Sequence, residues 1–98
     1  MTEVYRRSRP ILVVDRIESL GPSLKDLRRS QHVGIYDVAD AMDTSHGTQV
    51  TSWETGRVKP GSAKVVELLE VYDYVMVFMH KTDAANLMEE RTRQREQP

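Results

Sequence analysis

The chain has 98 residues, of which 39% are hydrophobic and 30% charged, with a formal net charge of −1 and no cysteine. This length supports one domain, and the longest apolar run, residues 75–79, is far shorter than the ~20 residues of a membrane span. The absence of cysteine excludes disulfides and thiolate metal sites and fits a cytoplasmic protein. We expect no membrane association and no cofactor.

Charge is distributed unevenly along this nearly neutral chain. Residues 1–30 carry seven cations against four anions, whereas residues 31–60 and residues 61–98 each have a net charge of −2. The cations concentrate in an N-terminal arm (Arg6, Arg7, Arg9) and in a loop after Gly56 (Arg57, Lys59). A basic surface on one side of a molecule can attract a polyanion, although the net charge of −1 provides no overall attraction.

The first predicted element is a helix over residues 11–20. Val13, Val14, Ile17 and Leu20 recur at helical spacing, and Pro10 and Gly21 suit its beginning and its end. The β-branched run "ILVV" leaves a short strand as the alternative. A second helix is predicted from Ser23, with a capping-box pattern, to about residue 33.

Three further helices follow in the middle of the chain. Residues 35–42 form one, with Val38, Ala39 and Met42 on its inner face. After the turn "DTSHG", a short helix over residues 47–55 carries Val50 and Trp53 on one face, and Gly56 ends it. The fifth predicted helix begins at Ser62, and its apolar residues are Val65, Val66, Leu68, Leu69 and Tyr72.

The remainder of the chain changes character at Tyr74. Residues 74–79 are β-branched, aromatic and without a polar face, which predicts a short strand. The alternative is that these residues continue the fifth helix into the core. A weak helix is predicted from Thr82, with Glu89 and Arg93 at i,i+4 spacing, and residues 91–98 are expected to fray. This gives an N-terminal arm and extra helix (1–22), a helical core (23–74) and a C-terminal strand and tail (75–98).

The outer face of the helix over residues 47–55 is polar and uncharged. Thr48, Gln49, Thr51 and Ser52 lie opposite Val50 and Trp53. A solvent-facing helix usually carries Lys and Glu, whereas a helix that enters a DNA groove needs hydrogen-bonding groups without anions. The small Ala39 in the preceding helix, and the turn between the two, are typical of two closely crossing helices.

The segment "LKDLRRSQHVGIYDVADAM...VTSWETGRVKP" resembles the Cro/cI-type helix-turn-helix family, also called the xenobiotic-response-element class. The positions that carry the resemblance are Leu24, Leu27, Arg28, Val38, Ala39, Val50, Thr51, Trp53, Glu54, Gly56 and Pro60. It implies a mainly α, compact five-helix lambda-repressor-like helix-turn-helix domain, here with an extra N-terminal helix and a short C-terminal strand. Gly47 and Ser52 are shorter than the residues that this family often has there.

The resemblance also implies site residues. Arg28 and Glu54 are expected to form an internal ion pair. Base contacts are expected from Thr48, Gln49 and Ser52, and DNA-backbone contacts from His46, Gly47, Thr51, Thr55, Arg57 and Lys59. The dimer prediction comes from the residues themselves, because a lone apolar strand must pair with another strand. Its partner is either the "ILVV" run of the same chain or a second copy, and the helix predicted over residues 11–20 favours the second copy. The residues expected to form this homodimer, which would place two recognition helices on a palindromic operator, are Val75, Val77, Phe78 and Met79.

No pattern for catalysis is present. The three histidines are far apart in sequence, and Asp37, Asp40 and Asp43 lack the loop pattern of a cation site. We therefore expect a non-enzymatic transcription regulator that binds double-stranded DNA, such as a phage-type repressor, a Cro-like protein or an autoregulating antitoxin. The alternative is a helix-turn-helix fold used as a protein-interaction module with weak or no DNA binding.

Overall fold

The structure is a computed structural model that describes residues 9–42 and 47–96. The described chain is mainly helical, as predicted, and contains no strand. Its five α-helices are α1 (Leu20–Ser30), α2 (Ile35–Ala41), α3 (Gly47–Thr55), α4 (Ser62–Val71) and α5 (Lys81–Glu96), and a single 3-10 turn, Ile17–Ser19, precedes α1. No helix in the described part of the chain is both long enough and apolar enough to cross a membrane.

The core lies between the first four helices. Its most buried side chains are Val38 of α2, Val50 of α3, Leu68 of α4 and Tyr72, which directly follows α4. These residues belong to the apolar stripes that the sequence predicts, and each fully buried side chain of this size contributes about 1.5–3 kcal/mol. Val66, which is also among the apolar residues of α4, lies outside the core and is nearly half exposed.

The helix predicted over residues 11–20 is wrong for most of its length. Residues 10–16 have no regular structure, and the α-helix begins only at Leu20. The run of Ile11, Leu12, Val13 and Val14 explains the difference, because β-branched side chains lose rotamer freedom in a helix and favour more extended backbone. In residues 11–20, apolar residues at helical spacing therefore did not indicate a helix.

The prediction that Gly21 ends a helix is wrong, because Gly21 lies buried in the first turn of α1. A Cβ atom at Gly21 would lie 2.6 Å from the carbonyl oxygen of Glu54 and 2.8 Å from that of Trp53. The glycine is therefore required because the backbone of α1 crosses the end of α3 at close range. Pro22 is tolerated beside it, since first-turn N–H groups have no partner within a helix.

The strand predicted for residues 74–79 is not formed in the described chain. α4 ends at Val71, and the left-handed backbone of Asp73 (φ 62°) prevents the helix from continuing, so the helical alternative for these residues is wrong. Residues 74–80 have no regular structure, and α5 then begins at Lys81, close to the predicted start, and extends to Glu96, beyond the expected point of fraying.

The segment after α4 lies beside the N-terminal segment. The Tyr74 hydroxyl donates a hydrogen bond to the Pro10 carbonyl at 2.6 Å, and Arg91 of α5 donates one to the Arg9 carbonyl at 2.7 Å. A groove of about 400 Å³ separates residues 11–14 from Val75, Val77 and α5. The two ends of the described chain therefore form one surface, outside the core of α1–α4.

Candidate nucleic-acid interface

Helix α3 packs against both α1 and α2, and this fixes which of its faces is open to solvent. Its inner side consists of Gly47, Val50, Trp53 and Glu54, all buried. Its outer face, defined here as Thr48, Gln49, Thr51 and Thr55, is exposed and carries no charge, while Ser52 is half-buried at its edge. The bounds and the outer face agree with the sequence prediction.

The beginning of α3 is shaped by close contact with α2. A Cβ atom at Gly47 would lie 2.8 Å from the Ile35 Cγ2 atom and 3.2 Å from the Tyr36 Cε1 atom. No other residue fits at position 47 unless these side chains move. Gly47 is therefore a packing residue whose backbone lies beneath the Tyr36 ring, while Tyr36 itself is 80% exposed.

The hydroxyl groups of α3 are mostly engaged with its own backbone. Ser52 donates to the Thr48 carbonyl at 2.8 Å, and Thr51 donates to the Gly47 carbonyl at 3.2 Å. The Thr55 hydroxyl makes a longer contact, 3.4 Å, with the Ser52 carbonyl. These hydroxyls keep their acceptor lone pairs but use their single proton. Gln49 has two amide donors and a carbonyl acceptor, and it is fully available on the exposed surface.

An ion pair joins α1 to the end of α3. Arg28 Nε lies 2.7 Å from Glu54 Oε2 and Arg28 Nη2 lies 3.1 Å from Glu54 Oε1, with the two side chains 11% and 5% exposed. Arg28 Nη1 also donates to the Val33 carbonyl at 3.1 Å. The pairing expected from the resemblance is therefore present and bidentate. The hydrogen bond to Glu54 raises the pKa of Arg28, which stays charged.

Tyr72 lies close to this ion pair, and its hydroxyl has no hydrogen-bond partner among the described residues. Burial, with a smaller contribution from the negative charge of Glu54, raises the pKa of Tyr72 to about 12. The phenol is therefore neutral in the folded protein at physiological pH. The sequence predicts its burial but not its position beside the ion pair, which depends on where the end of α4 lies relative to Arg28 and Glu54.

We expect the stability of the protein to fall between about pH 10 and pH 12 because of Tyr72. The unfolded chain releases the phenolic proton near pH 10, whereas the folded chain holds it to about pH 12. The contribution of Tyr72 to the free energy of unfolding is therefore fully present below pH 10 and is lost between about pH 10 and pH 12. The loss is about 1.4 kcal/mol at pH 11 and approaches roughly 2–3 kcal/mol above pH 12, because the two pKa values differ by about two units. Urea titrations at pH 8 and pH 11 measure it. Tyr72→Phe should reduce the loss, and an undiminished loss in that variant would contradict the assignment.

The loop after α3 carries the basic residues. Gly56 ends the helix with φ +80°, a left-handed conformation that glycine adopts without strain, and the Val58 N–H donates to the Ser52 carbonyl at 3.2 Å. Arg57 and Lys59 are both exposed in this loop. The basic loop, defined as residues 56–60, therefore directly follows the outer face of α3.

The predicted site residues fall into three groups. Thr48, Gln49, Thr51, Ser52 and Thr55 lie on one side of α3, with Arg57 and Lys59 following. The residues predicted to form a dimer, which belong to the separate surface described above, are Val75, Val77, Phe78 and Met79. His46 lies outside the described residues. The sequence does not predict the roles of Gly21, Tyr36 and Tyr72 described here, because these roles arise from contacts between helices that the sequence pattern does not specify.

Within residues 9–42 and 47–96, no cluster of three or more His, Asp or Glu side chains is arranged to hold a metal ion. Four grooves in this part of the chain involve mainly the N-terminal segment, residues 74–79 and α5, and none of these four includes the outer face of α3. Comparison with known proteins found no match: no family model, no curated protein and no solved structure matches the chain.

Proposed function

We propose that this protein is a cytoplasmic, non-enzymatic transcription regulator that binds double-stranded DNA by inserting α3 into the major groove. In this proposal α2 and α3 are a helix-turn-helix, as the sequence resemblance implies, and the protein acts as a small repressor, a Cro-like regulator or an autoregulating antitoxin. The observation that carries the proposal is the exposed, uncharged, hydrogen-bonding outer face of α3, followed directly by two exposed cations.

Gln49 is the main base-contacting residue in this arrangement. Its exposed amide can both donate and accept, which is what bidentate binding to the N6 and N7 atoms of adenine requires. Thr48 lies beside it and can contact a thymine methyl group. Ser52 is half-buried and donates its proton to the Thr48 carbonyl, so it contributes less than the resemblance implies. Sequence preference therefore depends mainly on Gln49.

Contacts to the DNA backbone come from the basic loop. Arg57 and Lys59 are exposed and adjacent to the end of α3, where the phosphates that border the groove would lie. Thr51 and Thr55 can donate to a phosphate only after their hydroxyls leave the carbonyls of Gly47 and Ser52. The two cations therefore supply affinity and salt dependence without sequence preference.

Removing the Gln49 side chain should change sequence preference, whereas removing a cation should change affinity for all sequences. We expect Gln49→Ala to lower the affinity for a duplex selected from random DNA by about tenfold, and to leave binding to a scrambled duplex intact. Arg57→Ala or Lys59→Ala should weaken both complexes and reduce the slope of log affinity against log salt by about one unit. Fluorescence anisotropy at several salt concentrations measures these effects.

The exposed surface formed by the chain ends favours a second candidate function, a protein-interaction module. Phe78 is 92% exposed and Val75 is 81% exposed, and the net charge of −1 provides no overall attraction to DNA. In the anisotropy experiment, the same affinity for all duplexes in the wild type and in the three variants would favour this candidate. If Gln49→Ala loses its preference for the selected duplex while the other two variants keep it, protein interaction is excluded as the sole function.

We further propose that the apolar tail segment, residues 75–79, forms a homodimer. The premise that residues 11–20 are helical, which disfavoured pairing within one chain, is wrong, and Tyr74 does contact Pro10 of the same chain. Even so, large apolar side chains remain exposed, and no backbone hydrogen bond involves residues 75–79 among those formed between described residues. A second copy of the chain can cover these apolar side chains and pair these backbone groups, because a two-fold axis brings identical segments together.

Variants of the apolar tail segment should weaken self-association. We expect Val77→Pro, which removes a backbone donor, and Phe78→Ser, which removes the most exposed aromatic ring, each to raise the dimer dissociation constant at least about tenfold. Val66→Ser is the matched control, since Val66 is 46% exposed on α4 and lines none of the grooves beside this segment. Sedimentation equilibrium measures the constants, and a monomeric wild type at micromolar concentration would contradict the dimer.

A further inference from the structure

The tyrosine at the start of α2 is largely exposed although its ring lies beside α3. Tyr36 is 80% exposed, and a Cβ atom built at Gly47 would lie 3.2 Å from its Cε1 atom and 3.3 Å from its Cδ1 atom. Among the described residues, its hydroxyl makes no hydrogen bond. An aromatic side chain that is held at its ring edge while its polar end is exposed is suited to contact a partner.

The position of this tyrosine relative to α3 identifies the partner. Gly47 is the first residue of α3 and has no side chain, so the Tyr36 ring occupies the space beside the helix start. If the outer face of α3 lies in a groove, the start of α3 is near one of the sugar–phosphate backbones that border it. The phenolic hydroxyl can donate one hydrogen bond to a phosphate oxygen.

We propose that Tyr36 donates its hydroxyl proton to a DNA backbone phosphate and thereby supplies, from α2, a contact that residue 47 cannot make. This inference rests on the proposed DNA-binding function. It places a neutral donor at the beginning of α3 and the cations Arg57 and Lys59 after its end. The two ends of the helix would then be held by contacts of different chemistry, of which only the cationic ones depend strongly on salt.

Tyr36→Phe separates this contact from packing, because it keeps the ring over Gly47 and removes only the hydroxyl. We expect affinity for the duplex selected by the wild type, and for a scrambled duplex, to fall by about tenfold in both cases. The salt slope should stay unchanged, because a neutral group releases no counterion. The melting temperature of the free protein should also stay unchanged, which distinguishes a lost contact from a folding defect.

Replacing single phosphates by uncharged methylphosphonates identifies the partner atom. We expect one replacement per half-site to weaken the wild type while producing no further loss in Tyr36→Phe. Three results would each overturn the inference and leave the DNA-binding proposal standing. The first is that the affinity losses from methylphosphonate replacement and from Tyr36→Phe add at every phosphate. The others are that Tyr36→Phe keeps the wild-type affinity, or that it loses affinity only for the selected duplex. If the wild type binds no duplex at low salt, both proposals fail.

Discussion

Arg28→Ala should destabilise the protein by about 3–5 kcal/mol, because it leaves the Glu54 carboxylate buried without its partner. Glu54 is 5% exposed at its side chain, and both of its oxygens accept from Arg28. Glu54→Ala should cost less, since the longer Arg28 side chain keeps its hydrogen bond to the Val33 carbonyl and can move toward solvent. Urea denaturation followed by circular dichroism measures both free energies of unfolding.

The double variant tests whether the two residues act as a pair. Its cost should be smaller than the sum of the single costs by about 0.5–3 kcal/mol, as expected for coupled neighbours. The matched control is the exposed Arg93–Glu89 pair of α5, at 3.6 Å with both side chains about two-thirds exposed. Removing either of those residues should cost no more than about 0.5 kcal/mol. Strict additivity for Arg28 and Glu54 would contradict the pairing.

Gly21→Ala should have the second largest effect on stability. The added methyl group would meet two backbone carbonyl oxygens, at 2.6 Å and 2.8 Å, and neither can rotate away as a flexible side chain could. α1 must therefore shift away from the end of α3, at a cost of about 1–3 kcal/mol. The shift should also strain the Arg28–Glu54 ion pair, which spans the same two helices, and so weaken the proposed DNA binding.

The control for this glycine is Gly61→Ala. Gly61 precedes α4 with φ −67°, and no atom lies within 4 Å of a Cβ atom built there. We expect that variant to stay within about 0.5 kcal/mol of the wild type. Thermal denaturation of the two variants side by side provides the comparison. Equal melting temperatures would show that α1 does not need close contact with α3.

The sequence predicts α2, α3 and α4 well because local and tertiary requirements agree there. Val38, Ala39, Val50 and Trp53 recur at helical spacing and are all buried, and Gly56 ends α3 where a left-handed residue is needed. The outer face of α3 follows directly from the same spacing, since every residue that is not on the inner side must face outward. This part of the candidate site was therefore predictable.

The N-terminal part was not predictable for two physical reasons. Residues 11–20 satisfy a helical period as well as a β-branched composition, and the period alone does not choose between them. Gly21 is compatible with both a helix end and a close backbone approach, and only the position of α3 decides. Tyr36 and Tyr72 depend in the same way on neighbouring helices. Contacts across elements are what the sequence pattern leaves undetermined.

The most direct test of the central claim, that α3 is the DNA-binding helix, is an NMR titration of the ¹⁵N-labelled protein with a duplex at low salt. We expect the amide chemical-shift changes to concentrate in residues 47–59, which cover α3 and the basic loop, and to extend to the start of α2. Residues 75–96 should change little. Shifts confined to residues 75–96, or no shifts at a molar excess of DNA, would contradict it.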